Sequence, residues 1–238
     1  MALLFILALA NTMKAIIQEN PGGELVIKDV PIPEPGPGEV LVKMTYSPIN
    51  PSDLSLLQGT YVNTSHYPII PGIEGSGIVT KSGKGLIAGS RTGKRVSCTA
   101  SRHGEGTWAE YMVTPATKTI GLDKKINDEQ GAMLLVNPLT ALAFIEIAKR
   151  NKQKAIVNNA AASSVGKMLI HLCKKYEIDL INIVSRENQL YTAKEHGAEY
   201  VLLSSSPDFE QELAELSKKL NAKLFFDAVG GIQGEIMI

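Results

Sequence analysis

The chain has 238 residues, 44% hydrophobic and 20% charged, an ordinary globular mix that excludes a disordered chain. Lys plus Arg equals Asp plus Glu, 24 against 24, so no global field selects nucleic acid or an acidic membrane. The 2 cysteines, Cys98 and Cys173, are too few for a disulfide framework or a four-thiolate zinc site, which points to a reducing, cytoplasmic setting.

Residues 2–10, ALLFILALA, are wholly apolar and end like a signal-peptidase site. No Lys or Arg precedes them, and spanning a bilayer needs about 20 residues. A second start, Met13-Lys14-Ala15-Ile16, opens what reads as a folded domain. Residues 1–12 therefore read as an upstream extension or start-site artefact, with a true signal peptide as the alternative.

Residues 13–126 alternate short apolar stretches with Gly and Pro. Ala15–Gln18, Leu25–Val30, Glu39–Ser47, Gly75–Ser82, Arg95–Thr99 and Thr107–Val113 have strand patterns. The linker Pro31–Gly38 holds prolines that lack an N–H donor, so it suits neither helix nor central strand. This part is expected to be a compact, β-rich, barrel-like domain.

The pattern changes at Asn127. Apolar residues recur at helical spacing over Asp128–Arg150, with Pro138 expected to kink or restart the helix. A regular alternation follows: strand Ala155–Asn158, helix Ser164–Tyr176, strand Asp179–Val184, helix Glu187–His196, strand Tyr200–Leu203, helix Asp208–Leu220, strand Leu224–Asp227. Such alternation predicts parallel βαβ units in an α/β domain. A dinucleotide-binding sheet has strand order 3-2-1-4-5-6, and this pattern supplies its first four strands. The expectation is an incomplete Rossmann-type parallel sheet over 127–238, short of about two βα units, or on the order of 60 residues.

The turn after the first parallel strand runs Asn158-Asn159-Ala160-Ala161-Ala162-Ser163-Ser164-Val165-Gly166. Ala160, Ser163 and Gly166 stand at the spacing of a G-x-x-G-x-x-G turn, where small residues let backbone N–H groups approach a pyrophosphate. Ser164 and Val165 complete this candidate cofactor-binding stretch; a plain tight turn is the alternative. The second strand ends in Ile183-Val184-Ser185-Arg186, without the acidic residue that holds an NAD ribose. Ser185 and Arg186 can instead hold a 2′-phosphate, which points to NADPH. Arg186 could equally be a solubilising surface cation.

These residues, with several ordered motifs in the first part, resemble the quinone oxidoreductase and enoyl-thioester reductase branch of the medium-chain dehydrogenase/reductase superfamily. The matching strings are Pro48-Ile49-Asn50-Pro51-Ser52-Asp53, Pro71–Gly77, Gly106-Thr107-Trp108-Ala109-Glu110-Tyr111, Asn137–Ala141 and Asp227-Ala228-Val229-Gly230-Gly231. The resemblance runs from Met13 to Gly231. It implies a GroES-like first domain with the nicotinamide in the cleft beside it. It also implies hydride transfer without zinc, because Ile49-Asn50-Pro51 stands where the zinc enzymes carry a cysteine and Ile73 replaces their histidine. Gln58-Gly59-Thr60-Tyr61 resembles the stretch bearing the proton-donating tyrosine of the enoyl-thioester reductases, making Tyr61 the candidate acid, with loop packing as its alternative. Asn50 and Thr140 resemble positions that hold the nicotinamide; their alternatives are a turn before Pro51 and a helix-start hydroxyl.

His66, His103, His171 and His196 lie far apart without ligand spacing, and His171 and Cys173 read as packing residues. The functional expectation is an NADPH-dependent reduction of a quinone, enone or enoyl thioester. The alternatives are a truncated, catalytically incompetent fragment and a non-enzymatic nucleotide-binding relative. The expected partner is a small-molecule substrate, with no nucleic acid or membrane, and a homodimer in a full-length form.

Overall fold

The computed structural model describes residues 11–61, 67–101, 105–230 and Gly234. The apolar run at 2–10, His66, His103 and Gly231 lie outside the described residues. Two compact units divide between Leu135 and Val136. The residues just after Asn127 thus remain with the first unit, whereas the change in composition alone places the boundary at 126/127.

In the first unit, β1 (Thr12–Gln18) and β2 (Leu25–Pro31) pair as an antiparallel hairpin. The strands β3 (Glu39–Tyr46), β4 (Glu74–Ser82), β5 (Arg95–Thr99), β6 (Tyr111–Pro115) and β7 (Thr119–Gly121) form a five-stranded antiparallel sheet in the order β6-β3-β4-β5-β7. Alternate side chains point to one face, and Val40, Val42, Val79, Val96, Cys98 and Met112 pack there as a core. Each such aliphatic burial contributes about 1.5–3 kcal/mol.

The strand expected at 107–113 begins only at Tyr111. Thr107 and Trp108 are drawn onto the Pro71-Gly72 turn, their N–H groups donating to the Gly72 and Pro71 carbonyls at 3.0 Å. Gly72 has φ +98°, and a Cβ there would lie 2.3 Å from Thr107 Oγ1, so only glycine permits this contact. Two short helices, α1 (Pro51–Leu57) and α2 (Leu86–Arg91), escape the sequence pattern because 7 and 6 residues are too few to display a helical period.

The helix expected over Asp128–Arg150 is two helices, α3 (Asp128–Ala132) and α4 (Val136–Arg150). The break precedes Pro138 rather than falling on it. The Leu135 N–H donates to Glu74 Oε2 (3.1 Å) instead of to a helical carbonyl. Pro138 then enters the first turn of α4, where a missing N–H costs nothing.

The second unit continues with β8 (Ala155–Asn158), α5 (Ser164–Tyr176), β9 (Asp179–Val184), α6 (Glu187–Glu195), β10 (Tyr200–Leu203), α7 (Phe209–Leu220) and β11 (Phe225–Phe226). The sheet is parallel with order β10-β9-β8-β11, the 3-2-1-4 order expected of a Rossmann-type half. Ile156 and Leu180 pack with residues of α4 and α5 on one face, and Val157, Ile181 and Ile183 pack with Phe209 and Leu213 of α7 on the other. Burial on both faces explains the predominantly apolar sequences of β8 and β9.

Gly166 lets α5 start close against the end of β8: a Cβ there would lie 2.3 Å from the Ala161 carbonyl oxygen. Gly166→Ala is therefore expected to destabilise the protein by about 1–3 kcal/mol, read in a thermal melt as a loss of roughly 2–4 °C per kcal/mol. An unchanged melt would show that the turn yields without strain.

Candidate functional site

At the carboxyl end of the parallel sheet, the turns after β8 and β9 enclose a cavity of about 320 Å³ lined by Ala160, Ala162, Ser163, Ser185, Arg186 and Gln189, among others. Ala160 turns the chain out of the sheet at φ +50°, a left-handed conformation that costs an alanine about 1–2 kcal/mol. Ser163 caps α5, its Oγ accepting from the Gly166 N–H at 3.1 Å. The Ser164 and Val165 N–H groups belong to the first turn, which has no helical acceptors, so the positive end of a 13-residue helix opens beside the turn.

The turn is braced by the loop after β11. Asn159, 1% exposed, donates through Nδ2 to Asp227 Oδ1 (2.5 Å) and accepts the Ala228 N–H on Oδ1 (2.7 Å). Asp227 Oδ1 also takes the Gly230 N–H (2.8 Å) and the Val229 N–H (2.9 Å). The Gly230 amide, the Asn159 carboxamide and the Val229 amide hold the Asp227 carboxyl below its ordinary range. Neither Asn159 nor Asp227 was a candidate site residue in the sequence; an Asn and an Asp at the ends of neighbouring strands was the available signal.

The opposite wall differs from expectation. Gln189 Oε1 accepts from the Ser185 N–H (3.1 Å), the Ser185 hydroxyl (3.3 Å) and the Arg186 N–H (3.1 Å). The Ser185 hydroxyl, expected to face a 2′-phosphate, and the two backbone N–H groups beside it are thus engaged with one carboxamide. The Arg186 guanidinium is exposed and, among the described residues, makes no hydrogen bond or ion pair.

In the first unit, Asn50 precedes α1, with Pro51 opening the helix. It donates through Nδ2 to Glu74 Oε1 (3.1 Å), and its N–H reaches Asp53 Oδ2 (2.7 Å). Asp53 Oδ1 accepts the Ile73 N–H (3.0 Å), and Glu74 Oε2 accepts that of Leu135. Asp53 and Glu74 are both 0% exposed. Burial pushes the Asp53 carboxyl up, against the lowering effect of the Asn50 and Ile73 amides. Tyr61 lies beyond the other end of α1, 42% exposed, with its N–H on the Ser55 carbonyl (3.2 Å). Gly59 makes that turn at φ +72°, where a Cβ would meet Pro21 at 2.8 Å.

Thr140 lies inside α4, not at its start, and its hydroxyl donates to the Val136 carbonyl at 2.8 Å, leaving only acceptor capacity for a ligand. The sequence-predicted residues thus fall into separate groups. Ala160, Ser163, Ser185 and Arg186 share one cavity; Ser164, Val165 and Gly166 form the helix start beside it. Asn50 and Tyr61 flank α1 in the first unit, and Thr140 belongs to the second.

Cys98 is fully buried, its thiol pushed up to about 12 by burial and by the nearby Glu74 carboxylate, so it serves neither as nucleophile nor as metal ligand in this state. Among the described residues, no group of three or more His, Cys, Asp or Glu could hold a metal ion, and no helix is long and apolar enough to cross a membrane. Cys173 packs in the core, but His171 does not: it is exposed, with Nε2 3.2 Å from His196 Nδ1. The two imidazoles that looked remote in sequence meet because α5 and the end of α6 lie side by side.

Residues 36–124 match the alcohol dehydrogenase GroES-like domain. The chain is 32% identical over 215 residues to a mitochondrial enoyl-[acyl-carrier-protein] reductase of Caenorhabditis elegans, covering 87% of this chain and 60% of that relative. It is 34% identical, with TM-score 0.86, to a Mesorhizobium loti protein described as an NADPH:quinone reductase, covering 95% of this chain and 70% of the other. A mycobacterial protein solved in complex with NADPH is 26% identical with TM-score 0.79, over 94% of this chain and 69% of its own. The chain belongs to the medium-chain dehydrogenase/reductase superfamily. Within it, the chain is similar to enoyl-thioester reductases and quinone oxidoreductases, and it spans about 60% of the length of the worm reductase.

Glu74→Gln exchanges one acceptor oxygen for an amide that must face either the Asn50 carboxamide or the Leu135 N–H. It is expected to destabilise the first unit by about 1–3 kcal/mol, visible as a lower denaturation midpoint. Equal stability would mean that the two contacts of Glu74 contribute nothing to the stability of the unit. For Asp227, a depressed folded-state pKa means its stabilisation is complete above the unfolded value of about 4 and is lost as pH falls through the folded value. The Val229 and Gly230 amide resonances should therefore titrate with a midpoint below about 3.9, and Asp227→Asn should abolish the transition. A midpoint at or above that value would contradict the bracing role.

Proposed function

We propose that this chain binds NADPH and belongs to a zinc-independent reductase of quinones, enones or enoyl thioesters. The observation that carries the reading is the unpartnered Arg186 guanidinium beside the cavity formed by the Ala160–Ser163 turn and the start of α6. A 2′-phosphate matches that fork of donors, whereas a bare ribose hydroxyl would leave the cation unused. The Ser164 and Val165 N–H groups suit a pyrophosphate at the start of α5, and the absence of bulk at Ala160 and Ala162 gives it room.

When bound, the cofactor would supply a hydride, and the chain's own residues would supply the rest. Tyr61 would donate the proton that accompanies reduction of the acceptor, its backbone fixed by α1 through Ser55. Asn50, locked by Glu74, and Thr140, with its proton already committed to Val136, would orient the nicotinamide amide. Zinc has no part in this reading, since by the resemblance the stretch Ile49-Asn50-Pro51 and Ile73 would stand where the zinc enzymes carry their ligands. The substrate is a small molecule, with neither nucleic acid nor membrane as partner. A non-catalytic nucleotide-binding relative is the second reading, favoured by the capture of three donors by Gln189, which leaves less of the wall free for a phosphate.

Calorimetric titration with NADPH and with NADH tests the cofactor reading. NADPH should bind more tightly than NADH, and Arg186→Ala should weaken NADPH by about 10- to 100-fold while leaving NADH unchanged. Equal affinity for the two cofactors, or binding of neither by the folded protein, would overturn it.

A further inference from the structure

His171 and His196 stand 25 positions apart in the chain, yet a shared core brings their rings together. Ile170 and Cys173 of α5 and Ala193 of α6 are buried in one apolar cluster, with Ala198 packed against it. These neighbours fix both backbones while the two rings meet at the surface. His196 caps the end of α6, its N–H donating to the Thr192 carbonyl at 3.3 Å. His171 Nε2 lies 3.2 Å from His196 Nδ1, with the rings edge-on at 77° and their centroids 5.4 Å apart.

Two neutral imidazoles placed in this way share one proton, one ring nitrogen donating and the other accepting. The same separation suits a metal ion. Zinc binds imidazole nitrogen at about 2.0–2.1 Å in a tetrahedron, which sets two nitrogen ligands about 3.3 Å apart. Each ring needs a swing of roughly 35° to turn the head-on contact into a chelate of that geometry. That is a modest change for a surface ring, because the χ2 well of histidine is broad. The donating ring also moves its proton to its other nitrogen, a tautomer exchange that solvent mediates. Among the described residues no third His, Cys, Asp or Glu completes a metal-binding group here, so water takes the remaining positions.

We propose that His171 Nε2 and His196 Nδ1 form a two-imidazole site for Zn2+, held between α5 and the end of α6. Lys167 and Lys175 lie one turn away on either side of His171 along α5, so the local field does not gather cations. Binding therefore rests on nitrogen coordination, which excludes Mg2+ and Ca2+, hard ions that take oxygen ligands. The shared core holds both backbones in place beforehand, so less freedom is lost when the ion arrives, and this offsets part of the small ligand number. The ion ties together two helices whose starts border the nucleotide cavity. It takes no part in hydride transfer, and the site stands whether or not the cofactor reading holds.

The test is titration of the protein, without nucleotide, by Zn2+ and separately by Mg2+, following the imidazole C–H resonances of His171 and His196. Zn2+ should shift both rings together and saturably, and Mg2+ should shift neither. Affinity should fall between pH of about 7.5 and about 5.5, because protons compete for the same nitrogens. Loss of an outer-shell partner alone typically costs about 10–100-fold in metal affinity, so His171→Gln and His196→Gln should each weaken Zn2+ by at least about tenfold. The resonances of the unsubstituted protein decide the matter even if a variant fails to fold. A shift of one ring without the other, no saturable shift, an equal response to Mg2+, or unchanged Zn2+ affinity in either folded variant would each overturn the proposal.

Discussion

Asn159 stands where two neighbouring strands end, and its carboxamide joins the turn after β8 to the loop after β11. Both of its polar atoms are engaged, one as donor to Asp227 and one as acceptor from Ala228. The spacing of the two loops is therefore fixed by a rigid planar group rather than by flexible packing. Asp227 extends the link, because the same oxygen that receives Asn159 also receives the Val229 and Gly230 N–H groups. Val229 lines the same cavity as Arg186, so part of its wall is held in place through this one buried side chain. An apolar residue at 159 would leave the Asp227 carboxylate with backbone donors alone and the turn tied to its neighbours only through the backbone N–H groups of residues 159 and 161.

Glu74 serves the first unit in a comparable way, reached from different chemistry. A carboxylate that is fully removed from water needs donors on both oxygens, and here the Asn50 carboxamide and the Leu135 N–H supply them. One consequence is local, since Asn50 is held at the start of α1. The other lies in the chain path, since the Leu135 N–H, in the stretch between α3 and α4, is held by Glu74 rather than by a helical carbonyl. A single buried acid thereby holds a candidate site residue and also the break after which α4 begins.

The sequence revealed most where one physical signal dominated. The bounds of β8, α5, β9 and β10 could be read residue by residue, because strands buried on both faces alternate with helices that carry a clear cap such as Ser163. The first unit was less legible. The start of β6 depends on Thr107 and Trp108 folding back onto Gly72, a contact 35 residues away in the chain that no local pattern encodes. The site divides in the same way. Spacing identified Ala160, Ser163, Ser185 and Arg186, which line one cavity. It could not identify Asn159 or Asp227, because their roles come from hydrogen bonds across loops, whereas Gln189 acts locally on residues three and four positions before it. The pairing of His171 with His196 was hidden for the same reason: it follows from the packing of α5 beside α6.

Gln189 carries the chemistry of the nucleotide end further than Arg186 alone. A carboxamide oxygen that holds two backbone N–H groups and a hydroxyl keeps the Ser185–Arg186 turn in one shape, which lowers the entropy lost when a ligand arrives. The same oxygen competes with any anion for those donors. Fixed geometry and reduced donor supply thus come from one side chain and act in opposite directions on affinity. The balance falls on the guanidinium, since it is the group on that wall whose donors are not already engaged, and electrostatic attraction to a phosphate dianion exceeds that of neutral amides. Under the proposed cofactor reading, selectivity at this wall would depend on the charge of the ligand more than on the fit of its hydroxyl groups.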